Sequence, residues 1–190
     1  MNIGAISYSI SAFTFLIFLA VLLTDRHKGA TKQSLLVAAA ISCIWSFFLA
    51  YISLITVDRF QIPVVEYFKS VSWLVLLLQL LTVVYSDRFK AEFIKKIQFG
   101  IIVVLTILIL PLLSEYILGE MPFLHRVDYL TAVCLLLAVL GIVFVEQVYR
   151  NTKTEQKWAI KYLCLGLLGM FTYDFYMYAD ALLYPVSYTH

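Results

Sequence analysis

The sequence predicts an all-α fold, a polytopic transmembrane helix bundle of about six spans with its N-terminus on the non-cytoplasmic side. Three observations carry this: the apolar share of the chain, long uninterrupted apolar runs, and basic residues gathered into a few connectors. The chain has 190 residues, of which 63% are hydrophobic and 14% charged, with a mean hydropathy of +0.92. Soluble domains are usually about half apolar or less. A chain this short must also leave much of its surface facing solvent, so here that solvent is lipid. A net charge of +2 supplies no basic field for nucleic acid. Barrel strands would put polar residues at every second place, and continuous runs such as Leu74 to Leu78 exclude them.

A spanning helix needs about 20 mostly apolar residues. Windows that qualify run from Ile6 to Thr24, Ser34 to Thr56, Phe68 to Ser86, Phe99 to Leu118, Tyr129 to Glu146 and Trp158 to Leu183. No basic residue precedes the first run, and it exceeds a signal-peptide core of about 7 to 15 residues, so it is expected to stay as a span. After the third span, Phe89, Phe93 and Ile97 recur every four residues among charged ones, which fits either a short interfacial helix or a solvated loop. Pro111 is expected to kink the fourth span, a kink tolerated where neighbours or water satisfy the freed carbonyl. Between the fifth and sixth spans, Thr152 to Glu155 reads T-x-x-E, a capping box at the start of the last helix. Glu146 and Arg150 stand four apart in the favourable order for an ion pair if the fifth helix continues past the interface. With Asn151 and Thr152 at the turn, this joint is expected to be a fixed structure.

Orientation follows from Lys and Arg, which concentrate in cytoplasmic connectors. Of the 14 in the chain, eleven lie in the odd-numbered connectors, at Arg26, Lys28, Lys32, Arg88, Lys90, Lys95, Lys96, Arg150, Lys153, Lys157 and Lys161. Only Arg59, Lys69 and Arg126 are assigned to the others.

Candidate chemistry is sparse. Cys43, Cys134 and Cys164 are isolated in apolar runs and read as small buried hydrophobes. His27, His125 and His190 fit no metal-ligand spacing, and no nucleotide loop or nucleophile elbow occurs, so no metal or catalytic residue is assigned. The sixth span is the informative one, because Tyr173, Asp174, Tyr176, Tyr178 and Asp180 interrupt an apolar helix. An Asp at mid-bilayer costs about 2.5 to 3.5 kcal/mol and normally faces the bundle or water. Asp174 lies beyond Lys161 by about 20 Å of helix, in the outer half of the span. It and Asp180 are about 240° apart around the helix, so they form no dyad. Two readings stay open for each group: a structural hydrogen bond or a sensing role for Asp174, and an outer aromatic belt or a site role for Tyr178 and Tyr184.

The run Val145 to Thr152, then Glu155 to Gly166, then Tyr173 to Tyr176, resembles the membrane-sensor half of the PrsK family, the PEP-CTERM-system sensor histidine kinases. The joint residues Glu146, Tyr149, Arg150, Asn151, Thr152, Glu155 and Trp158 carry the resemblance, with Asp174 further on. It implies a multi-pass input domain in the bacterial inner membrane, covering residues 1–184. Further spans, a GAF-type domain and a cytoplasmic kinase core follow in that family. It further implies a cognate response regulator that controls exopolysaccharide and PEP-CTERM protein genes, and leaves room for a homodimer. ATP and Mg are implied only for the kinase core, which this sequence does not contain, so no cofactor is expected here. Residues 185–190, Pro-Val-Ser-Tyr-Thr-His, resemble a translated sequencing adapter and are expected to be a non-native tail.

The resemblance makes a sensory module the leading expectation. A small transporter or channel subunit using Asp174 as its ion site is the main alternative, although such proteins often show repeated halves and none is visible. A membrane scaffold is the third.

Overall fold

The computed structural model describes residues 3–24, 29–54, 61–85, 99–100, 103 and 126–183. These residues are helical apart from helix ends and one turn, and none is in a strand. Five long helices are described: α1 (Ile3–Thr24), α2 (Ala30–Leu54), α3 (Gln61–Tyr85), α4 (Arg126–Asn151) and α5 (Thr154–Leu183). Most of the expected fourth span, with Pro111, lies outside the described residues, as do the segment around Phe89 to Ile97 and the tail 185–190.

Four segments are long and apolar enough to cross a bilayer: Ile3–Thr24, Ala30–Leu54, Val64–Tyr85 and Tyr129–Asn151. They mark the chain as a membrane protein. In hydrocarbon every backbone donor and acceptor must find its partner within the segment, and the helix meets that demand. The 30-residue α5 is long enough but is not among the four, because its phenols and carboxylates dilute its apolarity. Helix starts follow local chemistry. The Gly29 carbonyl accepts the first bond of α2 from the Gln33 N–H at 3.1 Å. Pro63 falls in the first turn of α3, where its missing N–H leaves no bond unmade.

The chain divides into two compact units, Met1–Gln79 and Leu80–His190. In the first, α1 and α2 pack through small side chains. Ala38, Ser42, Ser46 and Ala50 recur every four residues along α2 and are all buried, with Ala39 and Cys43 beside them; α1 supplies Ala5 and Ala12. Without a hydrophobic drive between helices in lipid, small residues gain attraction by letting backbones approach. The approach is close enough for the Cys43 thiol to reach the Ala12 carbonyl at 3.7 Å and for the Ser11 and Ser46 hydroxyls to meet at 3.0 Å. Most other side chains of α1, such as Ile10, Phe13 and Val21, are exposed, as lipid-facing groups should be. In α3, burial extends around the helix from Glu66 to Leu78.

In the second unit, α4 and α5 form a helical hairpin, joined at Thr152 and Lys153. Along α5 the buried residues are Cys164, Leu167, Phe171, Asp174 and Tyr178, alternating by three and four, the spacing of a coiled-coil seam. On α4 the matching face carries Cys134, Leu137, Val145 and Val148, with Gly141 at its centre. A β-carbon at Gly141 would stand 2.5 Å from the Phe171 ring, so glycine is what lets the two helices close there.

The joint departs from the expected capping box. The first helical bond of α5 runs from the Lys157 N–H to the Lys153 carbonyl at 3.1 Å, which puts Thr152 outside the helix start. Its buried hydroxyl turns back and donates to the Val148 carbonyl at 2.6 Å, and its N–H donates to the same oxygen at 3.1 Å. Thr152 therefore closes α4 and does not cap α5, because the end of α4 leaves carbonyls in need of donors.

Candidate functional site

Sequence reasoning singled out five residues in the last span, and α5 divides them. Asp174 and Tyr178 are each 5% exposed and lie on the packed seam. Tyr173 and Tyr176 are 62% and 68% exposed, and Asp180 is exposed as well. The two carboxylates do stand on different faces. The belt reading does not hold for Tyr178, whose side chain is enclosed where an anchoring phenol would reach outward. The contact of Phe171 with Gly141 fixes the level of the rest. Three residues further along α5 and three back along α4, Asp174 stands level with Ala138; seven along and seven back, Tyr178 stands level with Cys134. Asp174, Tyr178 and Cys134 each have an interaction partner, as burial of polar groups requires.

The joint residues gather at the opposite end of the same hairpin. Arg150 donates to Glu146 at 3.1 Å in an exposed pair, so α4 does continue past the apolar run. The Asn151 amide donates to the Gln147 carbonyl at 2.8 Å and to its side-chain oxygen at 3.2 Å. The Lys157 ammonium lies 5.7 Å from the centre of the Tyr149 ring. Exposed Trp158 meets Tyr162 edge to face at 5.9 Å, an aromatic pair suited to a membrane interface. Glu155 is exposed.

A second polar cluster, in the first unit, was missed. Lys69 was assigned to an outer connector, yet it is 3% exposed inside α3, with Glu66 one turn earlier at 6%. The Lys69 ammonium sits 4.4 Å from the centre of the Trp45 ring, which makes a T-shaped contact with Tyr8 at 5.9 Å between centres. Nearby, the Trp73 indole N–H donates to the Ser42 hydroxyl at 2.9 Å, and that hydroxyl donates in turn to the Ala38 carbonyl at 2.8 Å. A signal for this cluster was present in the sequence. Glu66, Lys69, Ser70 and Trp73 recur by three and four, so they belong to one helical face and not to a connector.

Each cluster holds an ionisable group inside helices that otherwise offer hydrocarbon. Such groups mark pathways, relays or sensors in membrane proteins. Compared with protein-family models, curated proteins and solved structures, the chain has no significant match in any of the three.

Proposed function

We propose that the chain is the membrane-embedded input module of a two-component histidine kinase, of the PrsK kind that regulates exopolysaccharide and PEP-CTERM protein expression. On this reading it crosses a bacterial inner membrane about six times, N-terminus outside, with the basic joint in the cytoplasm. On the same proposal the kinase core, with its ATP, Mg and response regulator, belongs to the continuation, and the resemblance leaves room for a homodimer. The observation that carries the reading is the place of Asp174 on the seam of a hairpin whose other end is the hydrogen-bonded joint. A signal that binds or titrates Asp174 differently in two packings of α5 shifts their populations, and a closed joint passes the change to the basic side. The resemblance over Val145 to Tyr176 supports the same reading. Recovery of the uninterrupted reading frame tests it. A continuation into a phosphoacceptor His and an ATP-binding domain is expected, whereas a natural stop just past Leu183 would remove the proposal.

The buried Lys69 and Glu66 favour a second reading, a small transporter or channel subunit. It expects purified chain in liposomes to carry protons or cations, with the flux abolished by Asp174→Asn or Lys69→Met; tight liposomes would exclude it.

A further inference from the structure

The hairpin of α4 and α5 carries a groove of about 370 Å³ that runs from the joint residues Glu146 and Tyr149 along the two helices. Its polar lining residues, Tyr149, Glu146 and Lys161, all lie toward the joint, and its far end is formed by Ile142, Leu165 and Leu168. Lys161, Leu165 and Leu168 follow one another by four and three on one face of α5, over about 10 Å of rise. The groove is thus an amphipathic slot along the helices, polar at the joint and apolar toward the span, with a volume in the range of small-ligand sites.

Charge selects the occupant. Glu146 is already matched by Arg150 at 3.1 Å. Lys161 has no ionic partner among the described residues, and Lys157, one turn earlier on α5 and outside the lining, stands over the lining ring of Tyr149, so with Glu146 matched by Arg150 the polar rim keeps two unmatched cations. A ligand that fits must pair an anionic head with an apolar tail and must lie along the bilayer normal. We infer that the groove binds one anionic phospholipid of the cytoplasmic leaflet, its phosphate held by Lys161 and Lys157 and one acyl chain laid against Leu165, Leu168 and Ile142. Basic pockets between helices on that side are known to recognise such head groups. The inference rests on α5 entering the bilayer from its basic end, and not on any sensory role.

The test is native mass spectrometry of the full chain from mixed micelles holding phosphatidylglycerol and phosphatidylcholine with identical chains. Wild type is expected to retain phosphatidylglycerol preferentially. Lys161→Gln should lower that preference about fivefold, and Lys157→Gln with it by a similar factor again, while Lys161→Arg keeps it. Leu168→Trp, at a half-exposed position that leaves the seam intact, should fill the slot and release both lipids. Equal retention of the two lipids by wild type overturns the inference. So does a Leu168→Trp variant that still holds phosphatidylglycerol, since the attraction would then be a property of the basic surface and not of the groove.

Discussion

Gly141 faces the ring of Phe171 with no room between them, and Phe171 is wholly buried. Gly141→Ala must therefore push the ring or the helix aside. Overpacking of this kind costs about 1–3 kcal/mol, and steric-trapping unfolding in micelles should register it. Adding Phe171→Leu should recover part of the loss, which separates a clash from a general helix effect. At Ser42 the argument concerns an unmade bond. Ser42→Ala leaves the Trp73 indole N–H buried without its acceptor. Hydrogen bonds within membranes average only about 0.6 kcal/mol, because the unfolded chain in lipid finds partners too. The expected loss is about 1 kcal/mol, and Trp73→Phe in the same background should abolish the difference between Ser and Ala at 42.

The joint between α4 and α5 is held unevenly, and two of its bonds predict unequal effects. Glu146 and Arg150 form an exposed pair, with side chains 56% and 69% accessible. Glu146→Gln should change hairpin stability by no more than about 0.5 kcal/mol. Thr152 is buried, and its hydroxyl serves a helix end; Thr152→Val should cost about 1 kcal/mol. Thermal unfolding followed by circular dichroism in micelles would rank the two, and a larger effect at Glu146 would contradict this account. The helices themselves were legible because lipid asks only for length and apolarity, which long runs display directly. Their packed faces were not. In helices apolar nearly all round, the period that marks a buried stripe in a soluble protein is lost among lipid-facing residues of the same kind. Asp174 could still be placed on a packed face, since a carboxylate has nowhere else to go in hydrocarbon. Lys69 was misread for a related reason: a Lys near a span end can snorkel outward, so its charge resembled a connector's. Thr152 was misread because a hydroxyl between two helices can serve either one.

Across the whole chain, basic residues concentrate in alternate connectors, and moving Lys69 from a connector into α3 leaves that asymmetry standing. Alkaline phosphatase fused after Lys28, Lys96 or Lys153 is expected to be inactive, and activity at any of the three would invert the topology or change the number of spans. The lower apolarity of α5 also bears on how the protein is made. A ribosome delivers α4 first, with 23 residues from Tyr129 to Asn151 apolar enough to partition alone. Two residues later comes a helix burdened with Asp174, Asp180 and exposed phenols, which the translocon should hesitate to release into lipid by itself. Its remedy lies in its neighbour. If α5 is a span, as proposed, the seam with Gly141 opened for Phe171 would let it leave the channel folded against α4, its Asp already shielded. In a microsomal glycosylation assay, α5 presented alone should integrate poorly, and α4 with α5 should integrate efficiently. Gly141→Leu should return the hairpin to the poor efficiency of the single helix, making one glycine a determinant of biogenesis as well as of packing.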